Sequence, residues 1–328
     1  MTSEQLVEIV PNFSEGRRLE VVDRLATAIA SVPGVHLLDR TSDASHHRSV
    51  LTLAGPPDAA VEAMDRAVEV AVDAIDIERH SGEHPRIGAV DVVPFVPLDG
   101  TTMVETVDLA RAFGARVADQ YGIPVYLYAE AALRPDRVRL ADVRRGQYEV
   151  LKARIGDPDR TPDFGPARTH PRAGAMAVGA RPFLIAYNIN LDTTDVEVAR
   201  RIARRIRESG GGLPKVQANG FWIADLARAQ VSMNLLDFHV TPIWRAWETV
   251  QEEAAAERVG LVESELIGLA PLASLLAVAD HADARADGSV EERLAVAAGF
   301  LRLRDFSPLQ ALELRLAAAR GTLAPGPR

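Results

Sequence analysis

From residue 6 to residue 128 the chain alternates apolar runs of strand length with stretches in which apolar residues return every three or four positions. This alternation limits the fold more than any other feature. LVEIVP predicts a strand and NFSEG the loop after it. Val21, Leu25, Ala28, Ile29 and Val32 predict a helix, with Ser14 as its candidate cap and Pro33-Gly34 as its stop. VHLLD and RSVLTLAG predict two strands, and Pro56-Pro57-Asp58 opens a helix carrying Val61, Met64, Val68, Val72 and Ile75. AVDVVPFVP predicts a further strand, residues 104–121 a helix, and PVYLY another strand. Strands interleaved with helices in this way build a mixed α/β sheet covered by helices on one side or both.

The stretch GDPDRTPDFGPARTHPRAG, residues 156–174, interrupts the pattern with proline, glycine and charge. By composition it predicts a linker between domains. Its length points elsewhere, since structureless loops beyond about 12–15 residues are usually functional or disordered. ARPFLIAYNINL then begins a new unit. A helix over 195–208, strands KVQANGFWIA and AQVSMNLLDF, a helix over 243–257 and strand RVGLVES complete the order β-α-β-β-α-β, the ferredoxin-like pattern. From about residue 270 the chain is rich in alanine and leucine and predicts helices. The reading is therefore α/β (α+β), with one subdomain over residues 1–178 and a second, ferredoxin-like one over residues 179–328.

A chain of 328 residues can bury two cores of ordinary size. It has no cysteine, which excludes disulfides, zinc–thiolate sites and cysteine nucleophiles together. The net charge of −9, with no lysine-rich run, excludes a basic face for nucleic acid. No apolar run reaches the roughly 18 residues of a membrane helix. The start MTSEQLVEIVPNF does not read as a secretory signal. A cytoplasmic enzyme is the expected class.

HSGEHPRIGAVDVVPF, residues 80–95, holds the densest chemistry. His80 and His84 have the spacing of two metal ligands on a helix. However, Gly82 weakens a helix, Pro85 pushes His84 toward extended geometry, and Ser81 stands where a zincin motif has glutamate. No metal site is expected. Phosphate-binding glycine loops and G-x-S-x-G elbows are absent from the sequence. His84 is open to two readings: a hydrogen-bonded structural residue between a turn and a strand, or a proton-transfer group. Glu83, Arg86 and Asp91 around it favour the second, because a polar cluster on a rigid strand end is how such a site is built. A second polar cluster, Asp43-Ala44-Ser45-His46-His47-Arg48, opens strand RSVLTL and reads in isolation as a polar turn.

VPNFSEG at 10–16, GEHPRIGAVDVVPF at 82–95, PVYLY at 124–128, PDFGP at 162–166, GARPFLIAYNINL at 179–191 and QVSMNLLDF at 230–238 together resemble glutamate formiminotransferase. In that family the transferase stands alone or forms the N-terminal part of formiminotransferase–cyclodeaminase. The resemblance covers nearly the whole chain in order. It implies transfer of a formimino group from N-formimino-L-glutamate to tetrahydrofolate, a co-substrate, with no metal. It implies two subdomains whose mixed sheets face each other, helices on the outer faces, and a homodimer. It implies His84 as the catalytic residue. It also implies a folate site at Gly165, Pro166, Ala167, Arg168, Thr169, His170, Pro171, Arg172, Ala173 and Gly174, which turns the linker into a binding loop. Arg48 and Arg86 are the candidate substrate contacts.

The chemistry of such a transfer suits the histidine. The donor is an amidine and the acceptor a secondary amine, so the attacking nitrogen must lose a proton and the departing glutamate nitrogen must gain one. An imidazole with a pKa near the working pH can do both in turn. Two positions depart from the family pattern: His47 stands before Arg48 where asparagine is usual, and Asn219 stands in VQANG where an apolar residue is more frequent. Two other readings remain open, a related enzyme using another donor such as formiminoglycine or a formyl group, and a catalytically silent folate-binding protein.

Overall fold

The structure, a computed structural model, describes residues 4–82, 84–282 and 288–322. Glu83, weighed above as a neighbour of His84, lies outside the described residues. The chain forms two compact units that divide between Pro182 and Phe183. No helix among the described residues is long and apolar enough to cross a membrane.

The first unit is built on a seven-stranded mixed sheet. Its strands are β1 (Val7–Ile9), β2 (Asn12–Phe13), β3 (His36–Asp43), β4 (Arg48–Gly55), β5 (Val90–Pro97), β6 (Val125–Ala129) and β7 (Met176–Ala180). β1 and β2 share one lane between β4 and β5, split at Val10 and Pro11. Proline brings no N–H to a ladder, so the lane breaks there and the polar residues of VPNFSEG follow. The segment read as a loop after LVEIVP thus begins as a short strand. β5 and β6 both run parallel to β7, and the other pairings are antiparallel.

Helices α1 (Leu19–Ala30), α2 (Pro57–Ala74) and α3 (Met103–Tyr121) bury their apolar stripes with Phe13, Leu51, Leu53, Phe95 and Val178 in one core. Thr102 and Glu105 cap α3 reciprocally, and Gly122 at φ +66° ends it. Ser14, the candidate cap, does not cap α1, whose N-cap position is Arg18. Its hydroxyl bonds to the Gly88 carbonyl, while the Glu15 carboxylate accepts the backbone N–H groups of Gly16, Arg17 and Arg18. Two short helices, α4 (Leu140–Val143) and α5 (Gln147–Arg154), contribute Val143 and Leu151 to a separate core with Val92, Tyr126, Tyr128 and Ala177.

β7 was not legible in the sequence. Three of its five residues, MAVGA, are alanine or glycine, which are depleted in strands. Gly179 is required because a Cβ there would lie 2.6 Å from the Tyr128 ring.

The second unit has the expected β-α-β-β-α-β order. β8 (Ile185–Leu191), α6 (Val196–Ile206), β9 (Val216–Ile223), β10 (Arg228–Leu235), α7 (Ile243–Ala256) and β11 (Leu261–Ile267) form an antiparallel sheet ordered β11-β8-β10-β9. Helices α8 (Leu272–Ala282), α9 (Val290–Leu301) and α10 (Leu312–Ala319) follow. Ile185, Tyr187, Ile189, Val231 and Met233 face the helical core. Side chains alternate across a strand, so Asn188, Asn190, Gln230, Glu263 and Glu265 fall on the other face. There they form a polar ladder: Asn188 donates to Glu265, Asn190 to Glu263, and Gln230 to both Asn190 and Glu265.

Candidate active site

Three sequence motifs interlock in the first unit. The Ser14 N–H bonds to the Ala89 carbonyl and its hydroxyl to Gly88, which docks VPNFSEG on the segment after GEHPR. His47 places Nε2 3.2 Å from the Glu15 carboxylate and Nδ1 3.0 Å from the Ser81 carbonyl. Its ring stacks on His80 with centroids 4.2 Å apart. The unusual His47 thus joins the turn before β4 to both neighbouring motifs, which is more than a polar turn would do. The other departure, Asn219, is exposed on β9, where its side-chain oxygen accepts the Gly220 N–H.

His80 and His84 are placed in different surroundings. His80 follows a short 3-10 turn, Ile77–Arg79, and is buried. Its Nε2 donates to the His47 carbonyl at 2.8 Å, and its Nδ1 accepts from Nε of Arg86 at 3.1 Å. Both ring nitrogens are engaged. His84 sits in a bend, half-buried, and donates from Nδ1 to the Pro85 carbonyl at 2.7 Å. That bond fixes the tautomer and leaves the Nε2 lone pair available. Burial, with the charges of Arg48 and Arg144, lowers the pKa of His84 to about 4. The ring is therefore neutral near pH 7, and lies well below the value near working pH that the chemistry suggested.

Asp91 organises the charges beside it. The carboxylate is completely buried and accepts from the Ile87 N–H at 2.8 Å, Arg48 at 2.7 Å and Arg144 at 3.0 Å. Burial alone would raise its pKa, but the two guanidinium charges outweigh burial and hold it low. Arg48 uses Nε and Nη2 on the side-chain oxygen of Asn12, which itself spans the β1–β2 break by donating to Val10.

The two arginines expected near substrate thus differ. Arg48 lies beside His84 and Asp91 and keeps part of its donor set. Arg86 is buried, and all five of its N–H groups have partners: His80 Nδ1, the His80 carbonyl, Gln147 and both oxygens of Glu149. It acts as a strut between the GEHPR segment and α5.

Arg144 was missed by the sequence reading. It follows α4, and the next turn places Gly146 and Gln147 in left-handed backbone at φ +84° and +57°. This turn aims Arg144 at Asp91 and the Pro85 carbonyl, while Gln147 and Glu149 reach Arg86. Nothing in DVRRGQYE separates Arg144 from the neighbouring Arg145, which pairs with Asp142 at the surface.

The stretch read first as a linker lies wholly inside the first unit. Asp163 pairs with the buried Arg137 and accepts the Leu127 N–H, and the Phe164 carbonyl takes the Val125 N–H. At the other end His170 and Gly174 exchange backbone hydrogen bonds, and Gly174 pairs with Gly88, four residues past His84. Gly174 has φ +70°, and a Cβ there would meet the Ile87 carbonyl at 2.5 Å. Within residues 165–174, His170 Nδ1 accepts the N–H groups of Arg172 and Ala173, and Arg172 donates to the Asp73 carbonyl. Arg168 is exposed. Arg172 also lines a polar cavity of about 240 Å³ with Glu15, Arg18, His47, Asp76, Arg79 and His80. The described residues contain no group of three or more His, Cys, Asp or Glu placed to hold a metal ion.

The family description "Formiminotransferase domain, N-terminal subdomain" matches residues 6–181, and "Formiminotransferase domain" matches residues 186–313. The chain belongs to the formiminotransferase family. It is 45% identical to a glutamate formimidoyltransferase of Streptococcus pyogenes serotype M1 over 277 residues, covering 84% of this chain and 93% of that protein. It is 50% identical to a glutamate formimidoyltransferase of Thermoplasma acidophilum over 278 residues, covering 84% and 91%. A formimidoyltransferase-cyclodeaminase of Gallus gallus is 47% identical over 282 residues, and this formiminotransferase chain matches about half (52%) of that longer protein.

Proposed function

We propose that this formiminotransferase moves the formimino group of N-formimino-L-glutamate to N5 of tetrahydrofolate, giving 5-formiminotetrahydrofolate and L-glutamate. Both relatives matched over more than nine-tenths of their length are glutamate formimidoyltransferases. The observation that supports the site is the pairing of Gly174 with Gly88, which sets the end of the 165–174 segment beside the bend that carries His84.

In the proposed reaction the tetrahydrofolate nitrogen attacks the amidine carbon, forming a tetrahedral carbon that bears three nitrogens. His84 Nε2 takes the proton from the attacking nitrogen. It then returns that proton to the glutamate nitrogen as the carbon–nitrogen bond breaks. A ring that is neutral at pH 7 starts in the form that accepts a proton. A conjugate acid with a pKa of about 4 is strong, so it passes the proton on readily to the more basic amine. Residues 165–174 bind the folate, and Arg48, together with the charge of the Asp91 cluster, favours an anionic donor. No step needs a metal.

The test is direct: purified protein, tetrahydrofolate and N-formimino-L-glutamate are mixed, and 5-formiminotetrahydrofolate is followed by absorbance and mass. Turnover with formiminoglycine or a formyl donor, and none with formiminoglutamate, would assign a different donor. Folate binding without turnover of any donor would leave a silent binding protein.

A further inference from the structure

Arg144 and His84 hydrogen-bond to the same atom. The Pro85 carbonyl accepts from Nδ1 of His84 at 2.7 Å and from Nη1 of Arg144 at 3.3 Å. Asp91 accepts from the same Nη1 at 3.0 Å, so that end of the guanidinium is held. Its Nε and Nη2 groups have no acceptor among the described residues. This free edge presents two parallel N–H groups, the arrangement that grips a carboxylate through two hydrogen bonds. The side chain is about one-sixth exposed, at 16%, so it can be reached yet is shielded from bulk water.

The other candidate arginines lack this edge. On Arg48 the equivalent Nε and Nη2 groups face Asn12, and Arg86 has no free N–H. The charges agree. Asp91 is one carboxylate between two guanidinium groups, and His84 is neutral near pH 7, so one positive charge is uncompensated among these four groups. An anion is the complement.

We propose that Arg144 receives the α-carboxylate of the formimino donor; the assignment rests on the function proposed above and names the group that reads the donor. The α-carboxylate is one carbon from the nitrogen that leaves, and the γ-carboxylate is three carbons from it. A guanidinium and an imidazole fixed on one carbonyl suit the nearer group: Arg144 holds the carboxylate while His84 serves the adjacent nitrogen.

Three donors separate the possibilities: N-formimino-L-glutamate, N-formiminoglycine with only the α-carboxylate, and N-formimino-4-aminobutyrate with only the distal one. Arg144→Gln should raise KM about 100-fold for the first two, the scale expected for losing a two-point charged contact. It should leave KM for the third donor and for tetrahydrofolate near the wild-type values. Arg144→Lys keeps the charge and a partner for Asp91, so it should fold normally and recover only part of the affinity. An equal rise for all three donors, or an unchanged KM for formiminoglutamate, would overturn the assignment. Calorimetry with N-formimino-L-glutamate alone tests Arg144 apart from turnover. Wild-type binding weakened in both variants supports the carboxylate contact even if no transfer to tetrahydrofolate occurs, which would sink the proposed function alone. Equal binding by wild type and variants, or no binding by wild type, overturns the contact.

Discussion

Nδ1 of His80 accepts a hydrogen bond from Nε of Arg86 at 3.1 Å, and this contact separates the roles of two histidines four residues apart. His80 is held as the Nε2–H tautomer because its other nitrogen donates to the His47 carbonyl. It therefore fixes the strut formed by Arg86, whereas His84 retains a free nitrogen. His84→Ala should lower turnover by roughly 10²–10⁴, the usual worth of general acid–base catalysis, with the fold and folate binding retained. His80→Ala should cost turnover far less and instead lower stability by about 1–3 kcal/mol, because Arg86 is left with a buried, unpaired donor. Steady-state kinetics and urea unfolding on both variants check this. Near-wild-type turnover in well-folded His84→Ala would remove the proton-transfer role.

The depressed pKa of His84 sets a pH dependence. The neutral ring is the active form, so kcat/KM should fall as the pH drops through about 4, rather than through the ordinary histidine range near 6.5. Burial is the largest cause, and Arg48 and Arg144 add to it. Removing one cation in Arg144→Gln relieves part of that repulsion, so the acid limb should move upward in pH. NMR titration of the ring gives the same value without turnover. Burial also lowers the pKa values of His80 and His170. Between their folded pKa values and 6.5 the unfolded chain binds more protons. Stability should therefore fall as the pH drops through that window, with no further loss from these two groups once the pH is below their folded pKa values.

Much of this arrangement was legible in the sequence, for identifiable reasons. Hydrophobic periodicity located α1, α2, α3 and the ferredoxin-like order because those elements bury one face against a single core. It missed β7, whose small residues leave room for Tyr128, and it placed β11 a few residues too early. GEHPR drew attention to His84 through local company alone. Asp91 belonged to that company, but the partners that tune the site with it are remote in sequence: Asn12, Arg48 and Arg144 join it through strand pairing and a left-handed turn. A short-range pattern does not carry such contacts. The amide and carboxylate ladder on the second sheet was present as alternation in LIAYNINL, but it is recognisable as a ladder only once β10 and β11 pair with β8.

Asp91 gives a stability test. It is buried between Arg48 and Arg144, so Asp91→Asn removes the only carboxylate that the two cations share among the described residues. Breaking a buried pair from one side usually costs about 3–5 kcal/mol, since the remaining charge stays desolvated. Chemical denaturation should show a loss of that order, with turnover falling as well because Arg48 and Arg144 lose their anchor. A change below about 1 kcal/mol would mean that the cluster is far more hydrated than its burial implies.

Metal independence is expected from the histidines themselves. Both nitrogens of His80 are engaged, so the His80/His84 pair cannot act as two ligands without dismantling the contact to Arg86. Turnover should survive prolonged treatment with a chelator. Stoichiometric zinc by elemental analysis, with activity lost on its removal and restored on return, would contradict this.

The final prediction concerns residues 165–174. Gly174 ties the end of the segment to Gly88, and the backbone bonds between His170 and Gly174 shape its turn before any ligand arrives. His170 accepts two backbone N–H groups through Nδ1, so its contribution is to pre-order the turn. Arg168 is exposed and Arg172 lines the polar cavity, and guanidinium groups suit folate carboxylates or a pterin edge. A segment already ordered loses less entropy when ligand docks. The double change Arg168→Ala and Arg172→Ala should therefore weaken folate binding by more than it lowers turnover at saturation. Folate should protect the segment from proteolysis and raise the Tm of the wild-type protein by mass action. An unchanged folate Kd in the double variant, with the same protease cutting in the presence and absence of folate, would return residues 165–174 to a connecting role within the first unit.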